Sequence, residues 1–147
     1  MATKFSYQNL SGRRLPVAFW NDAPRILARI EKLTGKKWGE VNLVLVTPAR
    51  MRQLNATYRH QTKVTDVLSF AYSEMPPIQG EIVICLAQAR RQAKLYRRHL
   101  NDEMKLLFVH GCLHLVGYDH IKPRERATMK ALECKVLGMN QTKGAWL

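Results

Sequence analysis

The sequence predicts an α+β fold, a small mixed β-sheet packed with several helices in one domain spanning residues 1–147. Three observations lead there. Short apolar, β-branched runs interleave with helix-period stretches early in the chain, and helix-period stretches dominate from Ala87 onward, as for a sheet with helices laid on it. At 147 residues the chain is long enough for one ordinary core and too short for two. Hydrophobic residues make up 46%, with no repeat, charged tail or long Gly/Ser linker, so neither disorder nor a fibrous repeat fits.

Taken in order, Lys4 to Asn9 (KFSYQN) reads as a short first strand. Asn21-Asp22 precedes PRILARIEKLTG, in which Ile26, Leu27, Ile30 and Leu33 recur at helical spacing until Gly35 ends the run. Val41 to Thr47 (VNLVLVT) has strand length and composition, and Thr47-Pro48 supplies an N-cap and first helical residue for ARMRQLNATY. DVLSFAY and EIVICL are two further strands, separated by SEMPPIQG, whose prolines and glycine force a turn. Three helices follow, Ala87 to His99, Asn101 to Val116 and Pro123 to Leu137. Asn101, Asp102 and Glu103 provide the middle one with a cap and two acids in its first turn.

Charge narrows the function classes. With 24 Lys+Arg against 11 Asp+Glu the formal net charge is +13, a field that attracts polyanions, nucleic acid first among them. No apolar run approaches the roughly 20 residues a spanning helix needs, so no membrane role is expected. The first ten residues, MATKFSYQNL, lack the apolar stretch of a secretory signal. Cys85, Cys112 and Cys134 are an odd number with no CxxC, which suits reduced thiols in a cytoplasm.

Three of the five histidines fall within HGCLHLVGYDH, residues 110–120. His110 and His114 lie four apart on a helix, roughly 40° apart on one face, so both imidazoles can reach one ion. Gly117 ends the helix, and the turn that follows returns His120 toward the same face. Three neutral nitrogen ligands with a fourth position open suit Zn2+, one per chain, with a bound water made acidic. Cys112 points away from this face and reads as packing, and Leu106, Leu107 and Leu113 as core around it. Asp119 is either a turn-former or an acceptor that orients an imidazole or acts as general base. The general base of an H-E-x-x-H protease is missing, because Gly111 stands in its place.

Together with LNATYRHQTKVTDVLSF upstream, HGCLHLVGYDH closely resembles the YbeY endoribonucleases, bacterial metal-dependent enzymes of ribosomal RNA maturation, and the resemblance spans nearly the whole chain. It implies zinc on His110, His114 and His120, and a functionally required arginine at Arg59. It also implies a small mixed sheet with several helices, and action on single-stranded RNA in processing of the 16S ribosomal RNA 3′ end and in ribosome quality control. Small-subunit ribosomal proteins and the GTPase Era are the implied partners. Three places depart from the usual family pattern: Ala71 follows Phe70 where proline is usual, Gly80-Glu81 replaces Gly-Asp, and IKPRERATMK is basic where the family is commonly acidic. They bear on the cleft rim and the choice of partners, and leave the histidines and Arg59 untouched.

A guanidinium at Arg59 offers planar bidentate donors to a phosphate, which gives the implied role a physical basis. Asp66 either pairs with Arg59 or another arginine, or makes local capping bonds with Thr65 and Ser69. On the helix AQARRQAKLYRRHL, Arg90, Arg91, Lys94, Arg97 and Arg98 fall within a sector of roughly 120°, a cationic stripe that fits an RNA-phosphate track as well as a solvated face. Two other functions compete with an RNA-cleaving enzyme. A zinc hydrolase of another substrate class is opposed by Gly111 and the +13 charge. A ribosome-assembly factor with structural zinc is opposed by a three-ligand set that leaves a position open.

Overall fold

The computed structural model describes residues 3–15, 17–59, 65–73, 75–118 and 122–138. Along them run β1 (Lys4–Asn9), α1 (Val17–Thr34), β2 (Trp38–Val46), α2 (Pro48–Arg59), β3 (Val67–Ser73), β4 (Ile78–Cys85), α3 (Leu86–Leu95), α4 (Leu100–Val116) and α5 (Pro123–Leu137). The strands form one sheet in the order β1-β2-β4-β3. β1 and β4 each pair parallel to β2, and β3 pairs antiparallel to β4. This is the mixed sheet that the sequence predicts.

Strand alternation divides the apolar side chains between two faces. Val41, Leu43, Leu45, Ile82 and Ile84 point into the larger core, which α1, α3, α4 and α5 cover. Val46, Leu68, Val83 and Cys85 point the other way, into a smaller core closed by Met51 of α2. Helix α4 therefore sits on one face of the sheet and α2 on the opposite one. Thr47 caps α2 as expected, its Oγ1 accepting the Arg50 amide at 3.2 Å.

Several boundaries differ from the sequence reading. α1 begins at Val17, well before Asn21-Asp22, and runs through Pro24. Tertiary packing accounts for it: Phe19 and Ala23 are fully buried, and Trp20 stacks on Tyr7 with ring centroids 3.8 Å apart. Ile26, Leu27 and Ile30 of the helical run are buried, whereas Leu33 near its end is exposed. β2 starts at Trp38, whose Nε1 donates to the Leu27 carbonyl at 2.9 Å and ties the strand to α1. α3 stops at Leu95 rather than His99, and Arg97 takes the left-handed conformation at φ 55°. α4 has His99, not Asn101, at its N-cap.

α4 is the central helix, packed against β3, β4, α1, α3 and α5. Met104, Phe108, Val109, Cys112 and Leu113 are fully buried, so it is apolar nearly all round. Gly117 terminates it in the left-handed region at φ 110°, and the Lys36 ammonium donates to the Val116 carbonyl at 2.7 Å, a cation on the negative end of the helix.

Candidate functional site

His110 and His114 stand one turn apart on α4, on the part of its surface that the core leaves open. Their Nε2 atoms converge to 3.2 Å, with ring planes inclined at 74°. Two nitrogens bound at the ~2.0–2.1 Å of a zinc–imidazole bond in tetrahedral geometry would be separated by about 3.4 Å. The observed spacing is close to that edge of a tetrahedron.

The outer nitrogen of His110 is held as well. Its Nδ1 lies 2.8 Å from Oε1 of Glu133 on α5, and that carboxylate is mostly buried. A carboxylate only accepts, so Nδ1 carries the proton and the Nε2 lone pair faces His114. Such an outward carboxylate bond is the usual companion of a metal-ligating histidine.

His120 and Asp119 lie outside the described residues. Among the described residues no group of three His, Cys, Asp or Glu side chains is arranged to hold an ion. The cysteines add no ligand: Cys85, Cys112 and Cys134 are buried thiols, and burial raises the pKa of each, that of Cys112 well above the usual range. Cys112 is core packing, as expected.

A cavity of about 220 Å³ opens beside His110, lined by Asp66, Gln92, Tyr96, Arg98, Glu103, Leu106, Leu107 and Glu133. A polar network fixes one wall. Arg98 binds Glu103 at 2.7 Å, and Gln92 Nε2 donates to Glu103 Oε1 and to Asp66 Oδ2, each at 3.2 Å. Asp66 Oδ1 accepts its neighbour's amide, that of Val67, at 2.8 Å, so its described partners are Val67, Thr65 and Gln92, and no arginine. Ser69, weighed with Asp66 in the sequence, donates its hydroxyl to the Gly111 carbonyl at 2.9 Å and fastens β3 to α4.

Arg59 occupies the last position of α2, exposed, on the opposite face of the sheet from α4. It is not among the residues lining the cavity. The chain from Arg59 toward Asp66 passes through residues 60–64, outside the described residues.

The stripe on α3 is shorter than the sequence suggests. Arg90, Arg91 and Lys94 are exposed on the helix, with an Arg90 guanidinium NH donating to the Arg14 carbonyl at 2.8 Å. Arg97 and Arg98 lie past its end, and Arg98 turns inward to Glu103. A helical wheel cannot extend over those two positions. Arg91 and Lys94 line an open groove of about 440 Å³ with Gln88, Gln92 and Leu95, so Gln92 borders both this groove and the cavity at His110.

Sequence reasoning missed Glu133, Glu103 and Gln92. Glu133 left a trace: it follows the buried Met129 by one helical turn, so an acid lies on the packed side of α5. Glu103 was legible only as a first-turn acid; its buried partners, Arg98 and Gln92, come from α3 and the turn after it.

The chain matches known proteins over most of its length. The sequence model of a family described as Endoribonuclease YbeY matches residues 16–141. A Heliobacterium modesticaldum protein named Endoribonuclease YbeY is 40% identical over 121 residues, 73% of this chain and 73% of that protein. One of the same name from Legionella pneumophila is 35% identical over 144 residues, covering 93% of this chain and 89% of its own. Other relatives are matched over 36% to 66% of their length. Among solved structures, the solution structure of a Thermotoga maritima protein aligns with 95% of this chain and 94% of its own at a TM-score of 0.59 and 24% identity, a likeness of fold.

Proposed function

The chain belongs to the endoribonuclease YbeY family, and from that premise we propose that it is a zinc-dependent, single-strand-specific endoribonuclease of ribosomal RNA maturation, acting at the 16S 3′ end and in ribosome quality control. The observation that carries the zinc reading is the convergence of His110 and His114 Nε2 at 3.2 Å with Glu133 on the outer nitrogen of His110. His110, His114 and His120 would hold the ion. A zinc ion held there would supply Lewis acidity toward a phosphoryl oxygen or a water.

The protein's own groups do the rest. Glu133 keeps His110 in the tautomer that presents Nε2. Arg59, at the end of α2, would grip the phosphate being cleaved through its bidentate fork. Arg90, Arg91 and Lys94 draw the flanking strand onto the surface of α3, and Arg97 adds charge beyond the helix end. The +13 field supports an RNA substrate. No helix among the described residues is long and apolar enough to cross a membrane. In this reading the protein works in the cytoplasm as one domain over residues 1–147, alongside small-subunit ribosomal proteins and the GTPase Era.

The test is cleavage of a labelled single-stranded fragment ending at the 16S 3′ end by purified protein, as prepared, after chelation, and after zinc is restored. Cleavage lost and regained in that order supports the reading; undiminished cleavage by zinc-free protein overturns the zinc dependence. Binding without cleavage by zinc-replete protein favours an assembly factor. The product ends identify the nucleophile, a 3′ phosphate or cyclic phosphate indicating the RNA 2′-hydroxyl and a 5′ phosphate indicating water. Arg59→Lys keeps the charge and loses the fork, so single-turnover cleavage should fall with zinc content unchanged. Near-normal rates in both Arg59→Lys and Arg59→Glu would remove Arg59 from the site.

A further inference from the structure

His110 and Glu133 form only one edge of the cavity on α4; the remainder is built from residues that neither hold zinc nor grip a phosphate. We propose that this cavity is a nucleobase subsite: it takes the base next to the cleaved bond and prefers bases that present an amino group. The proposal rests on the single-stranded RNA reading above.

Size and walls suit one base. The volume of about 220 Å³ is below the ~300–1,000 Å³ of clefts for drug-sized ligands. Leu106 and Leu107 supply apolar wall. Tyr96 supplies an aromatic ring that is 54% exposed, and the Arg98 guanidinium carbon sits 4.9 Å from the ring centroid. Ring and guanidinium together are the kind of platform on which unstacked bases rest.

The electrostatics separate base from phosphate. The chain carries +13 overall, yet Asp66, Glu103 and Glu133 all line this cavity. Arg98 neutralises only Glu103, so a phosphate is repelled here. It is welcomed in the adjoining groove, where Arg91 and Lys94 stand. With Gln92 common to both, a strand can lay its backbone along α3 and turn a base in toward His110.

The edge preference follows from Gln92. Its Nε2 is spent on two carboxylates, so the amide oxygen is what it has left to offer. Beside Asp66 and Glu133 the cavity is rich in acceptors, with Arg98 Nε a buried donor lacking a partner among the described residues, and this balance favours an occupant that donates to the acidic wall. The amino groups of adenine, cytosine and guanine do so; the O4 carbonyl of uracil sets acceptor against acceptor.

Changes in the RNA test this without disturbing the fold. A short single-stranded oligomer is altered one position at a time around its mapped cut: cytidine to uridine, adenosine to inosine, or abasic. Affinity is measured on the full chain with chelator added to hold cleavage, and single-turnover cleavage with zinc restored. At one position beside the cut, removing the base should weaken binding roughly ten-fold or more, the scale of one base–aromatic stack. Replacing amino by oxo there should lose part of that. Tyr96→Leu should erase the difference between base and abasic, and the Leu106 and Leu107 methyl resonances should move with the intact oligomer and not the abasic one.

Cleavage that proceeds while ignoring the base at every flanking position overturns the subsite and leaves the nuclease reading standing. Base-dependent binding that moves those methyls, with no cleavage under any metal condition, keeps the cavity as a base-binding site and overturns both the nuclease reading and the placement of the base beside a cleaved bond. An oligomer neither bound nor cut overturns both.

Discussion

Glu133 Oε1 lies 2.8 Å from His110 Nδ1, and this contact joins α5 to the histidine face of α4. It makes the ring orientation a tertiary property, dependent on the docking of a helix that contributes no ligand of its own. Glu133→Leu removes the acceptor and frees the tautomer. Zinc affinity, measured by competition with a chromophoric chelator, should fall about 10- to 100-fold, with Glu133→Gln between the two because its amide oxygen still accepts. Nitrogen NMR of the His110 ring should show the Nδ1-H form diminished in the leucine variant. A folded leucine variant with wild-type affinity would leave the contact without a role in the site.

Gly111 is the second prediction. A Cβ there would lie 2.9 Å from Ile82 Cγ2, 3.1 Å from Ser69 Oγ and 3.3 Å from Val67 Cγ2. Ile82 on β4 is fully buried, so α4 has to lift from β3 and β4 to make room. Overpacking of this kind costs about 1–3 kcal/mol, against about 1 kcal/mol that alanine returns in helix propensity. Gly111→Ala should therefore lower stability in urea by about 1 kcal/mol and weaken zinc binding by shifting both histidines. A stabilised variant would show that the helix moves at no cost.

These two residues mark where the sequence could and could not be read. The i, i+4 spacing of His110 and His114 is a property of the helix alone, so their convergence was legible. Gly111 was visible only as the absence of a protease glutamate, because the side chains that exclude a Cβ come from β3 and β4, distant in sequence. The position of Arg98 was hidden for a related reason. Helical periodicity extends a stripe indefinitely on paper, whereas here the helix ends at Leu95 and a buried carboxylate, Glu103, draws the arginine inward. The early start of α1 was hidden behind Asn21-Asp22 and Pro24, and only the burial of Phe19 and the stacking of Trp20 on Tyr7 reveal it.

The Arg98–Glu103 pair gives a third prediction. Glu103 is 1% exposed, and the guanidinium is its charged partner at 2.7 Å. Arg98→Met strands a buried carboxylate with only the Gln92 amide for company, a change of about 3–5 kcal/mol. Arg98→Met combined with Glu103→Leu should recover most of that loss, since an apolar pair satisfies the site without ions. Denaturant midpoints of the three proteins check it. A double variant as weak as the single one would show that packing, and not the orphaned charge, sets the cost.

The same inward turn of Arg98 sorts the cationic residues of α3 by what they can do to RNA affinity. A phosphate contact on a single strand contributes about 0.7 to the slope of log affinity against log salt. Arg91 and Lys94, exposed along the open groove, should each remove about that much when reversed to glutamate, and together about twice as much. Arg90 already donates to the Arg14 carbonyl, and its neutralisation should matter less. Arg98, committed to Glu103, should change stability and leave the slope alone. Binding isotherms of a short oligomer across a salt series, taken at a temperature where every variant is folded, separate these cases. Equal slopes for wild type and the Arg91→Glu, Lys94→Glu double variant would reduce the face of α3 to solvated surface. A slope changed by Arg98→Met in folded protein would mean that its guanidinium leaves Glu103 to meet the strand.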